Sequence, residues 1–286
     1  MGTSYTYKNS VIDHERRVYD YQVGVRLFYV VTLIWIAHKM VQLEALSLRS
    51  PSLIKPVHWY GKLIHVLPWS PYLLYSIAAM AIAVCIYFIF RQGSNIWLQG
   101  SLLFIVMTFN TLKLSLGYMD HVDHLFMLAH VFLLSYNPQH INALYVKYFQ
   151  FGLLFTYTIA GLWKCLTLVV KLLFTSEMTW IHPQALYYQT YLFHEEVQKN
   201  MPSWMEAFLS AGFLPTVLVL TTIVIETCAV LALIKYRWLR YYLLWILAFH
   251  LFNLVFFGIN FQYAALTACC FLFPFSALRP SRSSEV

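Results

Sequence analysis

Charge is what this sequence most lacks: 11% of its 286 residues are charged, against 60% hydrophobic and 18% aromatic. A soluble domain of this length clothes its surface with about a quarter charged residues. Less than half of that points to the membrane class. Cysteine is also scarce. Cys85, Cys165, Cys228, Cys269 and Cys270 all fall within or beside apolar runs, and none forms a CxxC pair. An odd number cannot pair fully within one chain, so they read as small buried hydrophobes and decide nothing about redox compartment. No basic run interleaved with aromatics is present. The formal charge of +7 comes from 19 Lys and Arg scattered along the loops. That is membrane-flanking charge, and it excludes nucleic acid as a partner. Repeats, low-complexity tracts and a recognisable extramembrane domain are likewise missing, so residues 1–286 read as one membrane domain with short polar ends. The segment up to Asp20 carries Lys8, Asp13, Glu15, Arg16 and Arg17 and no short apolar core with a cleavage site. The first apolar segment is therefore expected to remain as an anchor.

What is there instead is a series of long apolar runs. A helix crossing the hydrocarbon needs about 20 mostly apolar residues. Candidate spans run roughly over 22–46, 71–90, 96–116, 121–136, 142–174, 214–234, 238–257 and 260–276, which predicts an all-α helical bundle of about eight transmembrane helices. The stretch 142–174 is too long for one straight span and is expected to break near Lys171 or to run partly in the interface. With that count Arg16, Arg17, Arg91, Lys235, Arg237, Arg240, Arg279 and Arg282 share one side, and both termini are expected in the cytoplasm. Arg49, Lys55 and Lys62 fall on the other face. Residues 47–70 hold three prolines with Trp59 and Trp69 and suit an interfacial segment. Residues 175–213 mix Trp180, Tyr187, Tyr188, Tyr191 and Phe193 with Glu195, Glu196 and Lys199. Such density suits re-entrant or interfacial helices capping a cavity, or an ordinary aromatic belt.

Ionisable residues inside apolar spans are costly, so each is a functional candidate. Lys164 ends the run Tyr157-Thr158-Ile159-Ala160-Gly161-Leu162-Trp163-Lys164. Ala160 and Gly161 lie on its helical face and leave room for a substrate pocket or a close helix contact. Burial disfavours an ammonium, and a neutral amine can serve as a base; a lysine snorkelling to the interface reads equally well from composition. A second cluster is Asp120-His121-Val122-Asp123-His124. Its HxxH spacing and carboxylates suit a metal, yet one cluster falls short of the three ligands of a catalytic zinc site. No metal is expected, and a hydrogen-bonded helix entrance with His124 facing a cavity is the better reading. His130 lies about 240° round the helix from His124 and reads as packing. The third group is Glu226 with His250 and Asn253, the last two sharing a face at i, i+3.

At these residues the sequence resembles the HTTM membrane domain of vitamin K-dependent gamma-glutamyl carboxylases and shorter bacterial proteins, over residues 20–276. The segment from Tyr157 to Lys164 is similar to the carboxylase stretch that ends in its catalytic lysine, with alanine-glycine, two residues, then lysine. The resemblance implies that Lys164 is the base that deprotonates vitamin K hydroquinone or another quinol. Asp123-His124-Leu125-Phe126 looks like the family's asparagine-histidine segment, which implies an active-site role for His124. His250-Leu251-Phe252-Asn253, followed by Gly258 and Tyr263, matches another family stretch. Glu226 stands where the family has aspartate, and Trp180 matches a tryptophan after the lysine segment. His250 is thereby implied as catalytic, with Asn253, Asp123, Gly161, Glu226 and Trp180 around the cofactor.

Three departures accompany the resemblance. The large lumenal portion that binds propeptide and presents glutamate has no counterpart here. Relative to the family, about ten extra residues separate Lys164 from Trp180. Aspartate replaces asparagine before His124. The expected function is thus an intramembrane, carboxylase-like enzyme acting on a quinol, with or without coupled peptide modification. The alternatives are a maturation factor for a secreted or toxin-like peptide that works with a partner membrane protein, and a transporter of lipid or small molecules.

Overall fold

The computed structural model describes residues 2–47, 62, 71–91, 95–115, 123–174, 179, 181–196 and 200–278. Among them the regular structure is helical throughout: α1 (Gly2–Ser47), α2 (Pro71–Arg91), α3 (Ile96–Ser115), α4 (His124–Leu133), α5 (Ala143–Phe174), α6 (Ala185–Glu196), α7 (Ser203–Leu209), α8 (Phe213–Thr227), α9 (Tyr236–Phe257) and α10 (Gln262–Leu272). Short 3-10 turns follow α8 at Ala229–Leu233 and α10 at Phe275–Leu278.

Helix boundaries follow the backbone chemistry of proline and glycine. Proline is missing from 1–50 and from 139–182. α1 and α5 therefore run unbroken for 46 and 32 residues, since no ring removes a helical N–H or clashes with the preceding turn. The break expected near Lys171 does not occur; Lys171 lies in the last turn of α5. Pro71 opens α2 at the position where a missing N–H costs nothing. α9 ends at Gly258 with φ 63°, where Ile259 N–H reaches back to the Asn253 carbonyl in a Schellman-type closure. Of the segment 47–70, only Ser47 and Lys62 are among the described residues.

Among the described residues, four helices are long and apolar enough to cross a membrane: His14–Ala45 within α1, then α2, α5 and α9. α7 and α8 pass the same test together, bent by 77°, which makes up to five. By length and composition these are membrane-capable helices in an all-helical fold. The remaining expected spans are weaker for visible reasons. α3 carries Gln99, Thr108, Asn110, Thr111 and Lys113, all buried, so its polar side turns inward and lowers its mean hydropathy. α4 and α10 are apolar but only 10 and 11 residues long.

The helices cluster into two compact units: residues 1–149 with 262–286, and residues 150–261. The first unit is knitted by rings from α1, α4 and α10. Phe28 packs on Phe126 at 5.2 Å, on His130 at 4.7 Å and on Phe271 at 5.2 Å. His130 is buried and meets Thr32 Oγ1 at 3.2 Å, a satisfied packing histidine as its helical phase implied. Asp20 accepts hydrogen bonds from the Ser276 backbone and hydroxyl, which holds the turn after α10 against α1. The second unit has its own core, in which Leu186, Met205, Leu209 and Phe256 pack α6, α7 and α9 together.

Candidate functional site

In the second unit, α5, α6, α8 and α9 enclose a cavity of about 610 Å³. Its wall is apolar and aromatic, with Trp245, Phe249, Phe252 and Phe257 from α9 and Leu218 and Val219 from α8. Lys164 from α5 and Asn253 from α9 are among its few polar groups. A pocket of this size, mostly greasy with a handful of polar groups, suits a small lipophilic ligand.

Lys164 does not stand alone in it. Its Nζ donates to Glu226 Oε2 at 2.5 Å. The lysine side chain is 33% exposed and the carboxylate 2%, so the acid sits behind the amine while the amine reaches the cavity. Nζ also lies 5.4 Å over the Phe249 ring. Burying a carboxylate in an apolar helix is tolerable only with a charged, hydrogen-bonded partner, and Lys164 provides one. Gly161 is what permits the pairing. A Cβ there would run into the Thr227 backbone nitrogen and crowd the Glu226 carbonyl carbon, so only glycine lets α5 and α8 approach this closely. Of the two uses expected for that small residue, the close helix contact is the one realised.

His250 and Asn253 share the buried side of α9, as their spacing predicted. They use it differently. His250 Nε2 bonds Tyr157 Oη at 2.9 Å, and its ring lies 5.1 Å from Phe261, so it ties α5 to α9. Asn253 lines the cavity while its amide donates to the Phe249 carbonyl of its own helix at 2.8 Å. Gly258 receives the Phe193 ring of α6 where a Cβ would stand, and its positive φ disfavours any side chain. Gly258→Ala is therefore expected to cost about 1–3 kcal/mol and to dislodge Phe193 from the cavity wall. Comparison of melting temperatures in nanodiscs checks the first effect, and altered ligand affinity the second.

His124 and Asp123 belong to the first unit. Asp123 precedes α4 but makes no side-chain cap to it. Its carboxylate instead meets Lys39 Nζ at 2.6 Å, accepts from Trp35 Nε1 at 3.1 Å and lies 4.0 Å from Lys113 Nζ. Lys39, Lys113 and Asp123 are all buried. This ionic knot escaped the sequence reading, although two lysines inside apolar runs were the signal that would have found it. His124 is exposed at the first turn of α4. Asp120, His121 and Trp180 lie outside the described residues.

The described residues form an all-helical protein with four or five helices able to cross a membrane and a charged pair in the wall of a greasy cavity. No protein-family model, curated protein or solved structure matches the chain.

Proposed function

We propose that the chain is an intramembrane enzyme of the gamma-glutamyl carboxylase type, in which Lys164 acts as base on a quinol-type lipid-soluble substrate. The observation that carries this reading is the Lys164–Glu226 pair at the wall of the apolar cavity. A pair with one proton shared between its amine and carboxyl sites is electrically neutral. With that proton on the Glu226 carboxyl, Lys164 is a neutral amine that can take the proton of a ring hydroxyl, and the ammonium and phenolate so formed lie side by side. The cavity volume of about 610 Å³ and its aromatic wall fit a fused-ring quinol, and Asn253 and Thr222 offer polar contacts to ring oxygens. A quinol bound there would supply an ionisable hydroxyl and the reducing electrons for reaction with oxygen. The residues themselves bind the ring, exclude water and accept the proton.

The sequence resemblance supports the same assignment, through the alanine-glycine-two-lysine spacing that ends at Lys164. It also extends the reading to His124, His250, Asp123 and Trp180 as further site residues of an HTTM-type bundle, for which the apolar runs predict about eight spans and the flanking basic residues put both termini in the cytoplasm. Coupling to modification of a peptide, on this chain alone or with a partner membrane protein, is the outer part of the proposal.

Naphthoquinones and ubiquinones, oxidised and reduced, should bind the protein in lipid nanodiscs, with oxygen consumed in the reduced case. Lys164→Ala combined with Glu226→Gln, which leaves no carboxylate stranded, is expected to abolish the oxygen uptake while leaving a folded protein. If no quinone of either redox state binds, the proposal fails and the peptide-maturation reading takes its place.

A further inference from the structure

The cavity has a long axis and a charge. α6 lines it with Leu186, Gln189, Phe193 and Glu196, a stripe at three- and four-residue spacing that covers the full helix. Ten residues of α helix span about 15 Å, so the space is elongated enough for an alkyl chain as well as a ring. Of the charged groups at the site, Lys164 is neutralised by Glu226 behind it. Glu196 then gives the lining its net sign. It stands at the C-terminal end of α6, where the helix carbonyls already create a negative potential.

We infer that Glu196 sets the charge selectivity of this cavity, which admits neutral and cationic amphiphiles and rejects anionic ones. The ligand class it takes best is a long-chain ammonium or a neutral ring compound with an apolar tail. Fatty acids and other single-chain anions are turned away. The inference rests on the cavity being the ligand site of the proposed function, but not on quinol chemistry within it.

The test uses the full chain in nanodiscs and three amphiphiles of equal chain length, brominated on the chain, with trimethylammonium, hydroxyl or sulfonate heads. Bromine quenches tryptophan on contact, and Trp245 in the wall reports occupancy once the signal of Trp245→Phe is subtracted. Wild type should bind in the order ammonium, alcohol, sulfonate. Glu196→Gln should weaken ammonium binding about two- to fivefold and strengthen sulfonate binding, an effect sized for an exposed charge. Glu196→Lys should reverse the order. The side chain is exposed at a helix end, so both variants are expected to fold. An order that Glu196→Gln leaves unchanged, or sulfonate binding tightest to wild type, would overturn the inference. Quenching that never depends on Trp245 would overturn it too, because the cavity would then hold no ligand. Neutral quinone binding, measured alongside, should be the same in wild type and Glu196→Gln. Its absence would count against the quinol reading and leave the charge selectivity standing.

Discussion

Lys39→Met is expected to destabilise the protein by about 3–5 kcal/mol, the usual cost of stranding one partner of a buried ion pair. Lys39 Nζ lies 2.6 Å from Asp123 Oδ2, with side-chain exposures of 2% and 1%. Nothing polar replaces the ammonium when methionine takes its place. The carboxylate keeps the Trp35 indole N–H at 3.1 Å and the Lys113 amine at 4.0 Å, and neither reproduces the lost contact. A second variant separates charge from packing. Lys39→Met with Asp123→Asn removes the charges of that pair, keeps an oxygen for Trp35, and should recover part of the loss, the shortfall coming from the buried Lys113 ammonium, which loses the carboxylate 4.0 Å away. Thermal unfolding of both variants in the same nanodiscs gives the comparison. Equal melting temperatures for wild type and Lys39→Met would mean that the knot holds nothing together. If the double variant is worse than the single one, Asp123 has a role beyond answering Lys39.

Gly161→Val should damage the second unit most and the site with it. Even a Cβ at this position collides with the backbone of Thr227, and two further methyl groups cannot be moved aside as a flexible side chain can. α5 and α8 must separate, which is expected to cost about 3 kcal/mol or more by the scale of overpacked cores. Lys164 and Glu226 sit on those two helices, three and one residues from the contact, so their 2.5 Å pairing should lengthen or break. The readout specific to the site is ligand binding. Gly161→Ala, the mildest intruder, is expected to lower the melting temperature less but still to weaken quinone binding. If Gly161→Ala binds quinone as wild type does, the close helix contact does not hold the pair in place.

Much of this architecture was legible from residue order. Long apolar runs without proline dictated α1, α2, α5 and α9, because helix continuity and hydropathy are local properties. Lys164, Glu226 and Asn253 stood out as polar groups in apolar surroundings, and all three meet at the cavity or directly behind it. The aromatic loop 175–213 suggested helices over a cavity, and α6 forms one of the walls. The number of spans was less accessible. A sliding count of apolar residues cannot tell a lipid-facing side from a buried polar one, and α3 turns Gln99, Asn110 and Lys113 inward.

By itself, then, the sequence determined that this is a helical membrane protein with ionisable groups placed inside its apolar helices. Only the tertiary structure decided which charges answer which. Lys164 finds Glu226 across 62 residues of chain, and Asp123 finds Lys39 across a separation no local pattern encodes. It also decided that Gly161 serves a helix contact and that His250 is engaged by Tyr157. The reason is physical. A buried charge must be compensated by whichever opposite charge the packing brings within hydrogen-bond distance, and packing is a property of helix faces in contact rather than of neighbours along the chain.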